Sequence, residues 1–140
     1  MSTYEILVSH GGFAQGLGDT LKMFVGERDD ILCIGLKNGE DVASFGKRFN
    51  ELIQCIKGED EIVVLGDLIG GSPMTTAVNC LAERGLLGKT VVLGGMNLAM
   101  ALTTALSKDS GVEDAKGNIL HEAGEAIREF VVKDNEEDDI

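Results

Sequence analysis

The sequence predicts an α/β fold: an open, mostly parallel, doubly wound sheet of four strands with helices on both faces. Four short apolar runs alternate with segments in which apolar residues recur at helical spacing. The runs are continuous rather than alternating, which is typical of strands covered on both faces. Short connections between the elements favour parallel strands joined by helical crossovers. No internal repeat or linker interrupts the pattern, so residues 4–132 are expected to form one domain.

The first half of the chain contains two strand–helix pairs. Residues 6–8 and 31–36 form the predicted strands, and each is followed by a helical stripe. Gly26 is well placed to end the first helix, and a turn at Asn38-Gly39 precedes the second. The stripes consist of Phe13, Leu17, Leu21 and Phe24, and then of Val42, Phe45, Phe49, Leu52 and Ile56.

The second half repeats this alternation. Residues 62–65 form the third predicted strand, and Ser72-Pro73 begins a helix with Ser72 as N-cap and Pro73 in the first helical position. Residues 91–93 form the fourth strand, which a stripe of three leucines follows. The polar stretch 107–117 predicts a loop. The three leucines are Leu98, Leu102 and Leu106.

The end of the chain allows two interpretations. A last helical stripe runs through Leu120, Ala123, Ile127 and Val131, but residues 130–132 also suit a short closing strand. The tail, residues 133–140, is almost wholly acidic. We expect it to be disordered and assign it no function.

Composition narrows the class of partner and the compartment. A net charge of −12, no tryptophan and 4% aromatic residues argue against nucleic-acid binding and favour a basic protein partner. No signal peptide or apolar run of about 18 residues is evident, so we expect a cytoplasmic protein. Cys33, Cys55 and Cys80 are too widely spaced for a paired motif and are predicted to be buried thiols.

Candidate site residues follow the first and third strands. His10 stands at the end of the first strand, where parallel sheets bind ligands, and Gly11-Gly12 leaves room beside it. Asp67 ends the third strand and should lie beside His10 if these strands are neighbours. A carboxylate that accepts from one imidazole nitrogen leaves the lone pair of the other free for attack.

A glycine-rich segment follows Asp67. Gly70 and Gly71 allow backbone N–H groups to approach an anion, and the helix that begins next directs its positive end to the same place. Ser72 can donate a further hydrogen bond. These features predict a site for a phosphoryl group.

Three other motifs fail. Residues 85–90 resemble a P-loop, but Glu83 occupies the place of its first glycine and a strand follows Thr90. Residues 70–74 begin like a nucleophile elbow, but Met74 replaces the final glycine. A metal site lacks a third ligand besides His10 and Asp67, so we expect neither a metal ion nor another cofactor. His121, the second histidine, is expected to lie on the surface.

With these residues in place, the chain resembles the IIA proteins of the mannose family of the sugar phosphotransferase system (PTS). The similarity extends from about residue 4 to residue 132. Ala99 departs from the pattern, because many members carry proline there. The matching motifs are Ser9-His10-Gly11, Leu65-Gly66-Asp67, Gly70-Gly71-Ser72-Pro73 and Gly95-Met96-Asn97-Leu98.

The resemblance implies that His10 receives a phosphoryl group from the phosphocarrier HPr and passes it to a IIB protein. A membrane permease, IIC/IID, then couples this transfer to sugar uptake. Asp67 matches the family's aspartate, here taken to orient His10, and Ser72 matches its phosphate-contacting serine. The family also implies a homodimer that exchanges an antiparallel C-terminal strand. Because the chain stops after its acidic tail, IIB is expected to be a separate protein.

Three alternatives remain open at this point. The phosphocarrier subunit of dihydroxyacetone kinase shares the fold and the strand-end histidine. A hydrolase would use Ser72, His10 and Asp67 as a triad, although an N-cap role for Ser72 would engage its hydroxyl. A non-catalytic binding domain would not depend on His10.

Overall fold

The structure of the protein, a computed structural model, describes residues 1–133. Four parallel strands form one sheet in the order β2-β1-β3-β4, which confirms the predicted fold class. Apart from Lys133, the predicted acidic tail lies outside the described residues. The strands are β1 (Thr3–His10), β2 (Ile31–Leu36), β3 (Glu61–Gly66) and β4 (Thr90–Leu93); the helices are α1 (Phe13–Val25), α2 (Val42–Leu52), α3 (Ser72–Glu83), α4 (Leu98–Ser107) and α5 (Val112–Glu125).

Two apolar cores lie on opposite faces of the sheet. Helices α1, α4 and α5 cover one face, and α2 and α3 cover the other. On β1, Leu7 points into the first core, whereas Ile6 and Val8 point into the second, and all three are fully buried. Burying each such side chain contributes about 1.5–3 kcal/mol. The continuous apolar run of β1 therefore follows from its position between two helical layers.

The predicted helical stripes are correct at their centres and wrong at some ends. Phe45 and Phe49 of α2 are fully buried in the second core, as the spacing predicts. Phe13 and Phe24, at the two ends of α1, are about half exposed. In α4, Leu98 and Leu102 pack partly buried against the first core as predicted, but Leu106 is exposed, and the fully buried positions are other residues. These are Met100, Ala101, Thr104 and Ala105.

The predicted loop over residues 107–117 is wrong. A short 3-10 turn, Lys108–Ser110, leads directly into α5 at Val112. The polar residues of this stretch face solvent, except for Lys108, which is fully buried. Its ammonium donates to the Thr3 carbonyl at 2.7 Å and to Asp30 Oδ2 at 2.6 Å. Because the buried Lys108 is a charged residue, the sequence of this helical turn has the polar pattern of a loop.

The C-terminal expectations have mixed outcomes. Helix α5 ends at Glu125, so the predicted stripe does not continue to Ile127 and Val131, which are exposed. Residues 130–132 belong to no strand of this single chain, and strand exchange stays a prediction. Across residues 1–133, no helix is long and apolar enough to cross a membrane.

The cysteine prediction is only partly correct. Cys80 is buried between α3 and α2, where its thiol approaches the Gly46 carbonyl. Cys33 is half-buried on the outer strand β2, and Cys55 is exposed because α2 has already ended before it.

Candidate functional site

His10 is the last residue of β1, an inner strand held on both sides by parallel neighbours. It pairs in register with Leu36 of β2. Its side chain is 46% exposed at the carboxyl edge of the sheet, the edge where parallel sheets bind ligands. The strand therefore fixes the backbone of His10 while its ring remains accessible.

Asp67 follows β3 directly, and the pairing of β1 with β3 brings it to His10 as predicted. Asp67 Oδ2 lies 2.9 Å from His10 Nδ1 and accepts the backbone N–H of His10 at 2.9 Å. The other oxygen, Oδ1, accepts the N–H of Leu68 at 2.8 Å. One carboxylate thus binds the main chain and the ring of the same histidine.

The surroundings of Asp67 keep it ionised. Burial acts to raise its pKa, but the hydrogen bonds from His10 and Leu68 outweigh burial and hold the pKa below its ordinary value. Since an ionised carboxylate can only accept, the shared hydrogen must reside on His10 Nδ1. The lone pair of the uncharged ring is then on Nε2, the nitrogen that does not face Asp67.

The glycine segment packs against the imidazole. A methyl group built on Gly71 would lie 3.1 Å from His10 Cε1, so this position brings the backbone close to the ring. Gly70 has φ +74°, a left-handed conformation that favours glycine and turns the chain into α3. Gly71 thus lies beside His10 as predicted, and Gly70 forms the turn that precedes it.

Ser72 differs from its predicted role. Gly71 is the N-cap of α3, and Ser72 is the first helical residue. Within residues 1–133 the Ser72 hydroxyl makes no hydrogen bond, neither a capping bond nor one to His10. The N-cap prediction is wrong because the extended residue before the helix is a glycine. The hydroxyl is exposed and available, and no hydrolase-type bond between Ser72 and His10 is assembled.

A second helix begins beside His10. Gly11 has φ +56°, and its N–H donates to the Leu36 carbonyl at 2.8 Å, which closes a tight turn into α1. Ser9 is fully buried, and its hydroxyl accepts the Ala14 N–H at 2.7 Å in the first turn of α1. The positive ends of α1 and α3 both lie at this edge of the sheet, where they favour an anion.

Two supporting residues were not given their roles by the sequence analysis. Ser9 binds the N–H of Ala14 at the start of α1, but a serine five residues before the donor position is only a weak sequence signal for this role. Asn97 accepts the Met100 N–H at 2.8 Å as the N-cap of α4 and donates to the Ala123 carbonyl of α5 at 3.1 Å. An asparagine before an apolar helix is a recognisable cap signal.

Neither a metal centre nor a second histidine belongs to this site. Over residues 1–133, no group of three or more His, Cys, Asp or Glu residues is arranged to hold a metal ion. His121 is exposed on α5, as predicted.

Comparison with known sequences places this site in a family. Residues 5–134 match the profile of the EIIA-man family, described as "PTS system fructose IIA component". The fructose-specific EIIA component of Bacillus subtilis (strain 168) is 24% identical over 115 residues, which are 81% of this chain and 77% of that protein. The mannose-specific EIIAB component of Escherichia coli (strain K12) is 24% identical over 109 residues, 78% of this chain. The chain spans 33% of that longer relative.

Solved structures share the fold. The PTS IIA protein associated with the fucose utilization operon from Streptococcus pneumoniae has 30% identity and a TM-score of 0.76, covering 92% of this chain and 93% of that one. Component EIIA from Streptococcus agalactiae has 26% identity and a TM-score of 0.78, covering 91% and 96%. The mannose/sorbose specific IIA subunit from Enterococcus faecalis, at 24% identity, has a TM-score of 0.82, covering 96% and 98%.

These matches do not favour the dihydroxyacetone kinase alternative, and they confirm the resemblance drawn from the strand-end motifs. With a family match over residues 5–134 and the same fold in solved IIA proteins, the chain belongs to the EIIA-man family and is a phosphocarrier component of a sugar phosphotransferase system.

Proposed function

We propose that His10 accepts a phosphoryl group on Nε2 from phospho-HPr and passes it to a separate IIB protein, which serves sugar uptake through a IIC/IID permease. One observation carries the proposal: His10 Nδ1 lies 2.9 Å from Asp67 Oδ2. This contact leaves Nε2 as the nucleophile on a ring that is 46% exposed. Asp67 is thus the residue that orients His10.

The transfer requires little more than positioning and charge stabilisation. The Nε2 lone pair attacks phosphorus while the bond between phosphorus and the donor's histidine nitrogen breaks, and the donor ring takes that electron pair. Nδ1 keeps its proton, so the His10 ring gains positive charge, which the Asp67 carboxylate stabilises. The same steps in reverse deliver the group to IIB, and no metal ion is needed.

Gly70, Gly71 and Ser72 are proposed to bind the phosphoryl oxygens. Gly71 lies against the ring, and in the first turn of α3 the N–H groups of Ser72 and Met74 have no side-chain cap. The unengaged hydroxyl of Ser72 can donate a further hydrogen bond. Donors held in place before the reaction stabilise the charge that develops during transfer.

Charge and exposure support a docking protein rather than a small phosphate donor. The net charge of −12 attracts a basic carrier and steers its approach. Leu68 and Ile69, beside Asp67, are 60% and 76% exposed and offer apolar contact area next to the ring. We place this exchange in the cytoplasm, where phosphoenolpyruvate supplies the phosphoryl group.

The test is transfer of labelled phosphate from phosphoenolpyruvate through enzyme I and HPr, with a chelator present. We expect label on the wild type and on His121→Ala, whose exposed histidine is the matched control, and none on His10→Ala. The label should be acid-labile and base-stable, as expected for a phosphoramidate. Label on His10→Ala, or labelling that requires a divalent metal, would contradict the proposal.

The position of the phosphoryl group provides a finer test. Imidazole ¹⁵N spectra of the phosphorylated protein should assign phosphorus to Nε2, because Nδ1 is bonded to Asp67. Phosphorus on Nδ1 would show that the ring turns away from Asp67 before it reacts.

We further propose that the protein is a homodimer that exchanges its C-terminal segment as a strand. Beyond α5, four apolar residues are 60–76% exposed, and β4 is an outer strand with an open edge in the described chain. Sedimentation of a chain truncated after Arg128 tests this. An unchanged dimer would exclude the exchanged strand, and a monomeric full-length protein would exclude the dimer. The four residues are Ile127, Phe130, Val131 and Val132.

A further inference from the structure

The two outer strands of the sheet each place a glycine beside a loop of the site. Strands β2 and β4 flank the inner strands β1 and β3, whose ends carry His10 and Asp67. Gly35 is the next-to-last residue of β2, and Gly94 directly follows β4. Neither glycine has a left-handed φ, so turn geometry does not account for them. Glycine is required at each position because a neighbouring loop lies where a side chain would be.

At Gly35, the approaching group is the turn after His10. A methyl group built on Gly35 would lie 1.9 Å from the Gly11 carbonyl oxygen and 3.1 Å from the Gly11 carbonyl carbon. Methyl carbons essentially never approach another heavy atom within 3.0 Å, so the Gly11 carbonyl would have to move by about 1 Å. The Gly11 N–H is also bonded to Leu36 of the same strand. Both the N–H and the carbonyl of Gly11, in the turn that follows His10, are therefore in contact with β2.

At Gly94, the approaching group is the loop after Asp67. A methyl group there would lie 2.7 Å from Ile69 Cδ1, 2.9 Å from Ile69 Cβ and 3.1 Å from its Cα. The connection after β4 is tied to the same region, because the Met96 N–H donates to the Gly66 carbonyl at 3.0 Å. This loop leads from Asp67 to Gly71, the residue in contact with the imidazole.

We propose that Gly35 and Gly94 are positioning residues for the phosphoryl-transfer site. By lacking side chains, they allow the two loops to lie close enough to the outer strands for His10, Asp67 and the glycine segment to meet in reactive geometry. The kinetic part of this inference rests on the proposed function. The geometric part concerns only the 2.9 Å contact between His10 Nδ1 and Asp67, which loses strength quickly with displacement.

The two glycines should differ in effect. The Gly35 contact is with the backbone carbonyl of Gly11, the residue after His10, so the clash cannot be relieved by a rotamer change. The two shortest Gly94 contacts are with the side chain of Ile69, which is 76% exposed and can be shortened. A second substitution at Ile69 should therefore relieve the effect of a methyl group at Gly94.

The experiment compares Gly35→Ala and Gly94→Ala with Gly117→Ala, a helical position in α5 where a methyl group meets nothing within 4 Å. For each folded variant, imidazole ¹⁵N spectra of His10 report its tautomer and its bond to Asp67. Steady-state transfer from phospho-HPr gives kcat and KM. We expect Gly35→Ala to lower kcat roughly tenfold to a hundredfold with little change in KM, and to alter the His10 spectrum. Gly117→Ala should match the wild type.

Gly94→Ala should lower kcat by a smaller factor, and Gly94→Ala combined with Ile69→Gly should recover the rate of Ile69→Gly alone. If Gly35→Ala does not fold, the Gly94 variants still test the inference, because the two shortest contacts of Gly94 are with a side chain rather than with backbone. Unchanged His10 spectra and unchanged kcat in the folded glycine variants would overturn the inference. If wild-type protein accepts no phosphate, the proposed function fails, and the spectra alone still decide whether the glycines position His10.

Discussion

Strand β1 carries an ionisable side chain near each end, and the surroundings of the two differ sharply. At the carboxyl end, His10 is exposed and bonded to Asp67, a carboxylate whose oxygens accept three hydrogen bonds. Near the amino end, Glu5 is fully buried, and neither of its oxygens has a hydrogen-bond partner within residues 1–133. Burial, partly offset by Lys108, raises the pKa of Glu5 to about 8. We call the end of β1 with the exposed His10 the open end and the end with the buried Glu5 the closed end.

The closed end is held together by a charged cluster around Lys108. Its ammonium binds the Thr3 carbonyl, Asp30 and Asp109, and Arg28 binds both oxygens of Asp30 at 2.9 and 2.7 Å. Burial acts to raise the pKa of Asp30, but these hydrogen bonds lower it to about 2. From this comparison we expect the ionic groups at the closed end to stabilise the fold, and those at the open end to serve the proposed transfer by orienting His10. Four substitutions test this division.

The largest expected effect is on stability, from Lys108→Met. Removing one partner of a buried ionic group typically costs about 3–5 kcal/mol. Asp30 keeps Arg28, so we expect about 3 kcal/mol, measured by urea unfolding. The matched control is Lys116→Met, whose exposed pair with Glu113 should change stability by less than about 1 kcal/mol. Equal losses of unfolding free energy in the two variants would show that the buried ion pairs of Lys108 stabilise the fold no more than an exposed pair does.

Asp67→Asn should do the opposite: keep the fold and slow transfer. The amide can present an N–H to Nδ1 and stabilise the wrong tautomer, so we expect a loss of about a hundredfold or more in kcat. The unfolding midpoint should stay near that of the wild type, because Asp67 lies at a strand end. Wild-type transfer rates in this variant would show that Asp67 does not orient His10.

Glu5→Gln should change how stability depends on pH. The folded-state pKa of about 8 exceeds the ordinary value of 4.5, so the contribution of Glu5 is complete below about pH 4.5 and is lost as pH rises through about 8. The glutamine cannot ionise, and its variant should be more stable than the wild type above pH 8 and show a flatter profile. Urea unfolding from pH 5 to 9 measures this. Parallel profiles for the two proteins would place the Glu5 pKa near its ordinary value.

Ser72→Ala is expected to have the smallest effect. Its hydroxyl makes no bond in the described structure, so stability should change by less than about 0.5 kcal/mol. Loss of one hydrogen bond to a phosphoryl oxygen, about 1 kcal/mol, should slow transfer by roughly fivefold. A stability loss of about 1 kcal/mol with unchanged transfer would instead restore the N-cap role that the sequence predicts.

The open end was more predictable from sequence than the closed end. Apolar runs locate the strands, and the carboxyl-edge rule then brings His10 and Asp67 together once β1 and β3 are neighbours. Burial of Lys108 depends on partners 105 and 78 residues away, which no local pattern reveals. Gly35 and Gly94 are equally hidden, because a sequence does not distinguish a glycine that turns the chain from one that another backbone approaches. Ser72 was misassigned by one position, since Gly71 takes the cap.

The fixed position of His10 at the end of β1 determines how partner proteins can reach it. Because pairing with Leu36 of β2 and the bond from its own N–H to Asp67 hold its backbone in place, His10 cannot swing between two binding positions on a mobile arm. In the proposed transfer, donor and acceptor must therefore bind at His10 one after the other, and each excludes the other while bound. Turnover of that proposed transfer is limited by how quickly each bound protein dissociates, and an excess of unphosphorylated donor competes with the acceptor for the site at His10.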